Sequence, residues 1–215
     1  MVSVLTLLGA TPLVAQDKEK LCNDVQNRPM QVGQWASYRW TGGRSDGATM
    51  RMALVGTEAV AGKPHYWYEV VFTDPSKDSQ AKTILQILVP GLGFQASGVR
   101  GMIVKSGAEP AMRMPEAMVR MMGSQMDQNF ASEFTRKCRE MDVVGWEQVT
   151  VPAGSFRALH VKHAGEQTDA WLVPDLYFGL LRATLKDGSA MVLSGRGADA
   201  QSSITETPQT MPFPR

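Results

Sequence analysis

Apolar and polar residues alternate with a period of two along most of the chain. "QWASYRW" (Gln34 to Trp40) ends at Gly42-Gly43, and "TMRMALVG" sets Met50, Met52 and Leu54 on one side and Arg51, Ala53 and Val55 on the other. In "HYWYEVVF" the residues Tyr66, Tyr68, Val70 and Phe72 share a side, and "AKTILQILVP" continues the pattern to Pro90-Gly91. The second half repeats it in "WEQVTVPAGSFRALHVKHAG", "QTDAWLVP", "GLLRATLKDGSAMVLSG" and "QSSITET". Pro152-Ala153-Gly154 suits a tight reversal, and Asp187-Gly188 is a strong hairpin signal. Short period-two runs separated by turn residues predict an antiparallel meander of about eight to ten strands.

One stretch breaks the pattern. "MRMPEAMVRMMGSQM" (Met112 to Met126) holds six of the fourteen methionines, and Pro115-Glu116 is a favourable helix start. Met114, Met118, Met122, Met126, Phe130, Phe134 and Cys138 recur every fourth residue, with Met121 beside the row. This rhythm predicts an amphipathic helical insert over about 115–140, kinked or divided at Gly123-Ser124. The expected fold is mainly β with inserted helices (α+β): one open, curved antiparallel sheet covered by a Met-rich insert. The methionines then either line an apolar cavity or complete the core, since the side chain serves both uses.

The ends carry different signals. "MVSVLTLLGATPLVA" has no charge and is followed by "QDKEK", so residues 1–15 read as a signal-peptide-like segment with cleavage after Ala15. The competing reading is an apolar element of the fold. Residues 16–206 form the predicted single domain, opened by a short helix in "DKEKLCNDVQNRP" that stops near Pro29, and 207–215 an extended or disordered tail. Cys22 and Cys138 are the only cysteines, and an even pair in an exported chain predicts one disulfide rather than two thiols. Export places the protein in the periplasm or an equivalent compartment.

Composition narrows the partners. Lys+Arg number 22 and Asp+Glu 21, a near balance that gives no reason to expect nucleic acid. Met112-x-Met114 and Met118-x-x-Met121 have spacings that cuprous sites use, yet His65, His160 and His163 are remote, and the last two fall on opposite faces of a strand. No nucleophile elbow, His-Glu-x-x-His motif or phosphate loop occurs, so neither an enzyme nor a cofactor or metal is expected. "GRGADA" (Gly195 to Ala200) opens no helix and is not read as a nucleotide loop.

"VTVPAGSFRALHVK", "DAWLVPDLYFGLLRATLKDGSAMVLSG" and "SSIT" together resemble exported proteins of the LolA/LolB-like superfamily. The matching positions are Pro152, Gly154, Phe156, Trp171, Pro174, Gly179 and Leu180, within Trp146 to Thr205. The resemblance implies a half-barrel sheet covered by helices around a cavity that takes acyl chains, without catalytic residues. It also implies an arginine in the cavity, for which Arg51, Arg113 and Arg120 are candidates. The expected function is therefore non-enzymatic binding of an acyl chain or other hydrophobic ligand between sheet and insert. Met114, Met118, Met121, Met122, Met126, Phe130, Trp67 and Trp171 are its expected lining, with Trp35, Trp40 and Trp146 as further walls. The alternative is an accessory subunit docking the same face onto a membrane-protein assembly.

Overall fold

The computed structural model describes residues 11–75, 82–93, 96–126, 138 and 140–212. The period-two runs become strands of one open, curved sheet. In chain order they are β1 (Trp35–Thr41), β2 (Thr49–Val60), β3 (Lys63–Thr73), β4 (Lys82–Val89), β5 (Gly101–Ser106), β6 (Met112–Arg113), β7 (Asp142–Val151), β8 (Gly154–His163), β9 (Thr168–Leu172), β10 (Leu180–Thr184), β11 (Ala190–Gly197) and β12 (Gln209–Thr210). Among the described residues two α-helices accompany them, α1 (Thr11–Gln26) and α2 (Glu116–Met126). The spatial order is β12-β6-β5-β4-β3-β2-β1-β11-β10-β9-β8-β7.

Every pairing is antiparallel except β12 with β6, which is parallel and makes the sheet mixed. Its twelve strands exceed the eight to ten expected because β6 and β12 have two residues each, too short to show a period. The reversals predicted from composition are present. Val151 pairs with Gly154 across Pro152-Ala153. In the Asp187-Gly188 turn, Asp187 Oδ1 accepts from the Ser189 amide at 3.0 Å and its hydroxyl at 2.6 Å. Curvature brings the β7–β8 turn back over the sheet, where the Ala153 amide donates to the Leu193 carbonyl at 3.3 Å.

α1 starts inside the segment read as signal-like and ends before Pro29. The disulfide joins Cys22 of α1 to Cys138, with Cα atoms 6.1 Å apart. Leu21, Cys22 and Cys138 pack with Leu159, Val161, Ala170 and Leu172, so α1 covers one face of the β7–β11 half. α2 occupies the start of the predicted insert. Its Val119, 2% exposed, packs with Val89, Val99, Tyr68, Ile87, Met102 and Met114 at one end of β3–β5.

The chain after β11 forms a strap across the opposite face of β1–β6. The Ala200 amide donates to the Gly33 carbonyl at 2.8 Å, and the Met211 amide donates to the Arg113 carbonyl at 2.9 Å. Gly33 has φ 96°, and a Cβ there would sit 2.3 Å from the Ala198 carbonyl oxygen, so the crossing requires glycine. Residues read as an extended tail thus include β12, the last strand of the sheet.

Candidate functional site

Strand register divides the β1–β6 half into two contrasting faces. One ladder runs Ala36–Met52–Val70–Leu85–Val104–Met112, one residue from each of six adjacent strands. Beside it run Tyr38–Met50–Phe72 and Leu54–Tyr68–Ile87–Met102. Met52, Val70, Leu85, Val104 and Met112 are all apolar and all only half-buried. At about 4.8 Å between strands, the six-residue ladder spans roughly 24 Å.

The other face of the same strands is closed. Ala53, Trp67, Glu69, Ile84, Gln86, Leu88 and Ile103 are buried there, with Ile204 of the strap packed on Trp67, Ile84, Leu88 and Ile103. This covered face contains a carboxylate, Glu69, at 0% exposure. Its oxygens accept from Gln86 Nε2, the Ser203 amide and the Ser203 hydroxyl, each at 2.8 Å, and from Arg51 Nη1 at 3.4 Å. A half-covered antiparallel sheet ordinarily buries its apolar face and solvates its polar one. Here the polar network is sealed, together with the apolar residues around it, and the largely apolar opposite face is left partly open.

A cleft of about 520 Å³ opens where this apolar face meets the head of β1. Ala36, Tyr38, Leu176, Phe178 and Leu193 supply apolar lining, and Arg28, Gln31, Gln34, Asp175 and Arg196 supply polar groups. Ala36 belongs to both cleft and ladder, and Phe178 lies 6.1 Å from the Tyr68 ring, so the cleft adjoins the apolar face. Arg28 is fixed by donating Nη1 to the Leu176 carbonyl and Nη2 to the Pro174 carbonyl at 2.6 Å. Tyr177 donates to the Pro29 carbonyl at 2.9 Å and accepts from the Gln31 amide at 3.0 Å. Tyr38 donates to the Leu180 carbonyl at 2.9 Å, and burial raises its hydroxyl pKa well above the ordinary phenol value.

The residues expected to line the site separate into groups. Met114 packs beside Met102 at the α2 end, Met118 and Met122 are half-buried on α2, and Met121 is 56% exposed. Met126 ends α2, while Phe130 and Phe134 lie outside the described residues. The structure does not bring Trp67 or Trp171 to the methionines. Trp67 is under the strap on the closed face. Trp171 pairs with Arg182 and, through Val192, with Arg39, whose side alternates with that of Tyr38.

There Trp171 stacks on His160 at 4.4 Å and carries Arg182 over its ring at 4.9 Å. His160 Nε2 is 2.8 Å from Asp169 Oδ1, and its Nδ1 is 3.5 Å from Glu147 Oε1. His163 points elsewhere, with Nε2 3.8 Å from Glu140 Oε2. None of the three arginines nominated for a cavity stands on the open apolar face. Arg51 pairs with Glu69, Arg113 with Glu58 at 3.5 Å and Arg120 with Glu116 at 3.3 Å. Among the described residues no His, Cys, Asp and Glu group forms a metal-ion cluster.

Arg196 was the arginine that sequence reasoning passed over, inside the Gly-rich "GRGADA". Its glycines serve the Trp35 ring. A Cβ on Gly195 would lie 3.3 Å from Trp35 carbons, and one on Gly197 would lie 2.5 Å from Trp35 Nε1.

No family model matches the chain, and no curated protein matches it. Among solved structures it is similar to a "putative exported protein with YmcC-like fold" from Bacteroides fragilis NCTC 9343, at 14% identity and a TM-score of 0.37. It is also similar to a "putative lipoprotein" from Parabacteroides distasonis ATCC 8503, at 13% identity and a TM-score of 0.35. Each similarity covers 79% of this chain and 97% of the other. Among the described residues no helix is long and apolar enough to cross a membrane.

Proposed function

We propose that the protein is a non-enzymatic, exported binding protein that holds an acyl chain or similar apolar ligand against the open face of β1–β6, beside α2. The observation that carries this reading is the contrast between faces. Five half-buried apolar residues follow Ala36 across the strands, while Glu69 and Gln86 are sealed beneath the strap. The strap covers the face that holds Glu69, a carboxylate kept there by its four hydrogen bonds, and leaves the ladder on the other face only half covered.

Four methionines, Met50, Met52, Met102 and Met112, stand on the open face. Their unbranched thioether side chains adapt to flexible ligands. The Cys22–Cys138 disulfide supports an oxidising compartment. The half-barrel form is what the resemblance to acyl-chain carriers implies.

The test is native mass spectrometry of the purified chain, followed by titration with the neutral dye Nile red. Expected are a co-purifying lipid or dye uptake that competes with palmitate, and loss of both in Met52→Asp/Leu85→Asp. An empty protein that takes up no dye, or a double variant that binds as well as the parent, overturns the proposal.

A further inference from the structure

The geometry points to a single-chain amphiphile with an anionic head as the ligand, its head in the Arg28–Arg196 cleft and its chain along the β1–β6 ladder. This rests on the apolar-ligand reading and adds the head-group chemistry. Three features of the cleft carry it.

First, the cleft and the ladder share Ala36, so a chain leaving the cleft passes onto the open face without crossing a polar barrier. Second, the lining residues Arg28, Arg196 and Asp175 leave two guanidiniums against one carboxylate, an excess of one positive charge that a single anionic head would balance. Third, the two arginines are held differently. Arg28 has one hydrogen of each Nη committed to the carbonyls of Leu176 and Pro174, which fixes its charge at the rim. Arg196 lies with its guanidinium carbon 5.2 Å from the Phe156 ring centroid and makes no ion pair with a described residue. A guanidinium stacked on a ring keeps its N–H edge available, and that edge matches a carboxylate in paired hydrogen bonds.

The cleft also excludes a bulky head. At about 520 Å³, with Tyr38, Phe178 and Tyr177 in its lining, it takes a small head and the first part of one chain. The neighbouring acid Asp199 is not part of the lining; it accepts from Trp35 Nε1 at 2.7 Å and keeps its charge outside the cleft.

The experiment compares palmitate with palmitoyl glycerol, the same chain with an uncharged head, by displacement of Nile red from the full-length protein. The parent is expected to bind palmitate about tenfold more tightly, the scale of one charge-assisted contact, with the preference shrinking as salt is raised. Arg196→Gln is expected to remove that preference by weakening palmitate more than palmitoyl glycerol, while Arg196→Lys restores part of it. Circular dichroism of each variant establishes that the fold is retained. Equal binding of the two ligands by the parent, or an equal loss for both in Arg196→Gln, overturns the head-group assignment and leaves the apolar groove standing. Failure of both ligands to displace the dye overturns the groove as well.

Discussion

Glu69 shows how a single buried side chain couples distant parts of the chain. Its carboxylate gathers Gln86 from β4, Arg51 from β2 and Ser203 from the strap. Removing it takes an acceptor from the Gln86 amide, which is 5% exposed, as well as from the more accessible Arg51 and Ser203, and a buried donor without an acceptor is expensive. Glu69→Ala is expected to lower unfolding free energy by about 3 kcal/mol in urea titration, with Glu69→Gln losing less because it keeps a carbonyl acceptor. A loss under about 0.5 kcal/mol, the range of an ordinary surface change, would contradict the network. Tyrosines give a second residue-scale expectation. Burial raises the pKa of both Tyr38 and Tyr68. A raised value favours the protonated native state, so this stability is complete below the unfolded phenol value near 10 and is lost as pH rises beyond it. Absorbance titration should show these two phenols ionising only as circular dichroism reports unfolding. Smooth ionisation of all four tyrosines in the folded protein would contradict their burial.

At the scale of elements, two devices fasten the sheet. The disulfide closes a separation of 116 residues between α1 and Cys138. Reduction is expected to cost roughly 4–5 kcal/mol in the chain-entropy account, measured as a fall in urea midpoint with dithiothreitol. Coincident midpoints would remove it as a stabilising element. The strap is the second device. The Lys105 ammonium donates to Glu206 and holds its carboxyl below the ordinary 4.5. A depressed value stabilises above the unfolded pKa and is lost as pH falls through the lower folded one. The protection factors of the Gln209 and Met211 amides, their exchange taken relative to the intrinsic rate at each pH, should therefore fall in acid, with Glu206→Gln abolishing the change. Protection that is insensitive to acid would separate the strap from this ion pair. Period-two alternation made β1 to β4 and β8 legible because it reports which residues share a side. It could not report which side the strap covers, since that depends on Ser203 and Ile204 meeting strands far away in sequence. Trp67 lies under the strap for this reason, whereas Trp171 stands with His160 and Arg182 in the other half of the sheet. The Arg28–Arg196 cleft was equally hidden, because its residues come from the α1–β1 connection, the β9–β10 loop and the end of β11.

Across the whole molecule, the covered face changes over between the two halves of the sheet. In the β7–β11 half, α1 lies on the face of Leu159, Val161 and Leu172, which the register continues through Leu193 and Tyr38 to Met50. In the β2–β6 half the strap seals the other face. The changeover leaves an apolar surface that neither α1 nor the strap closes, and adjacent residues of β4 test it. Ile84 is 4% exposed beneath the strap, whereas Leu85 is half-buried on the open ladder. Ile84→Ala is expected to cost about 2–4 kcal/mol, as a core truncation with its cavity does. Leu85→Ala should cost less than Ile84→Ala, since part of the Leu85 side chain stays in water in the folded protein. The ligand response should be reversed: Leu85→Ala weakens Nile red and palmitate binding, while Ile84→Ala, under conditions where it remains folded, leaves both near the parent value. Equal destabilisation by the two substitutions would make the ladder ordinary core and remove the surface on which ligand binding rests.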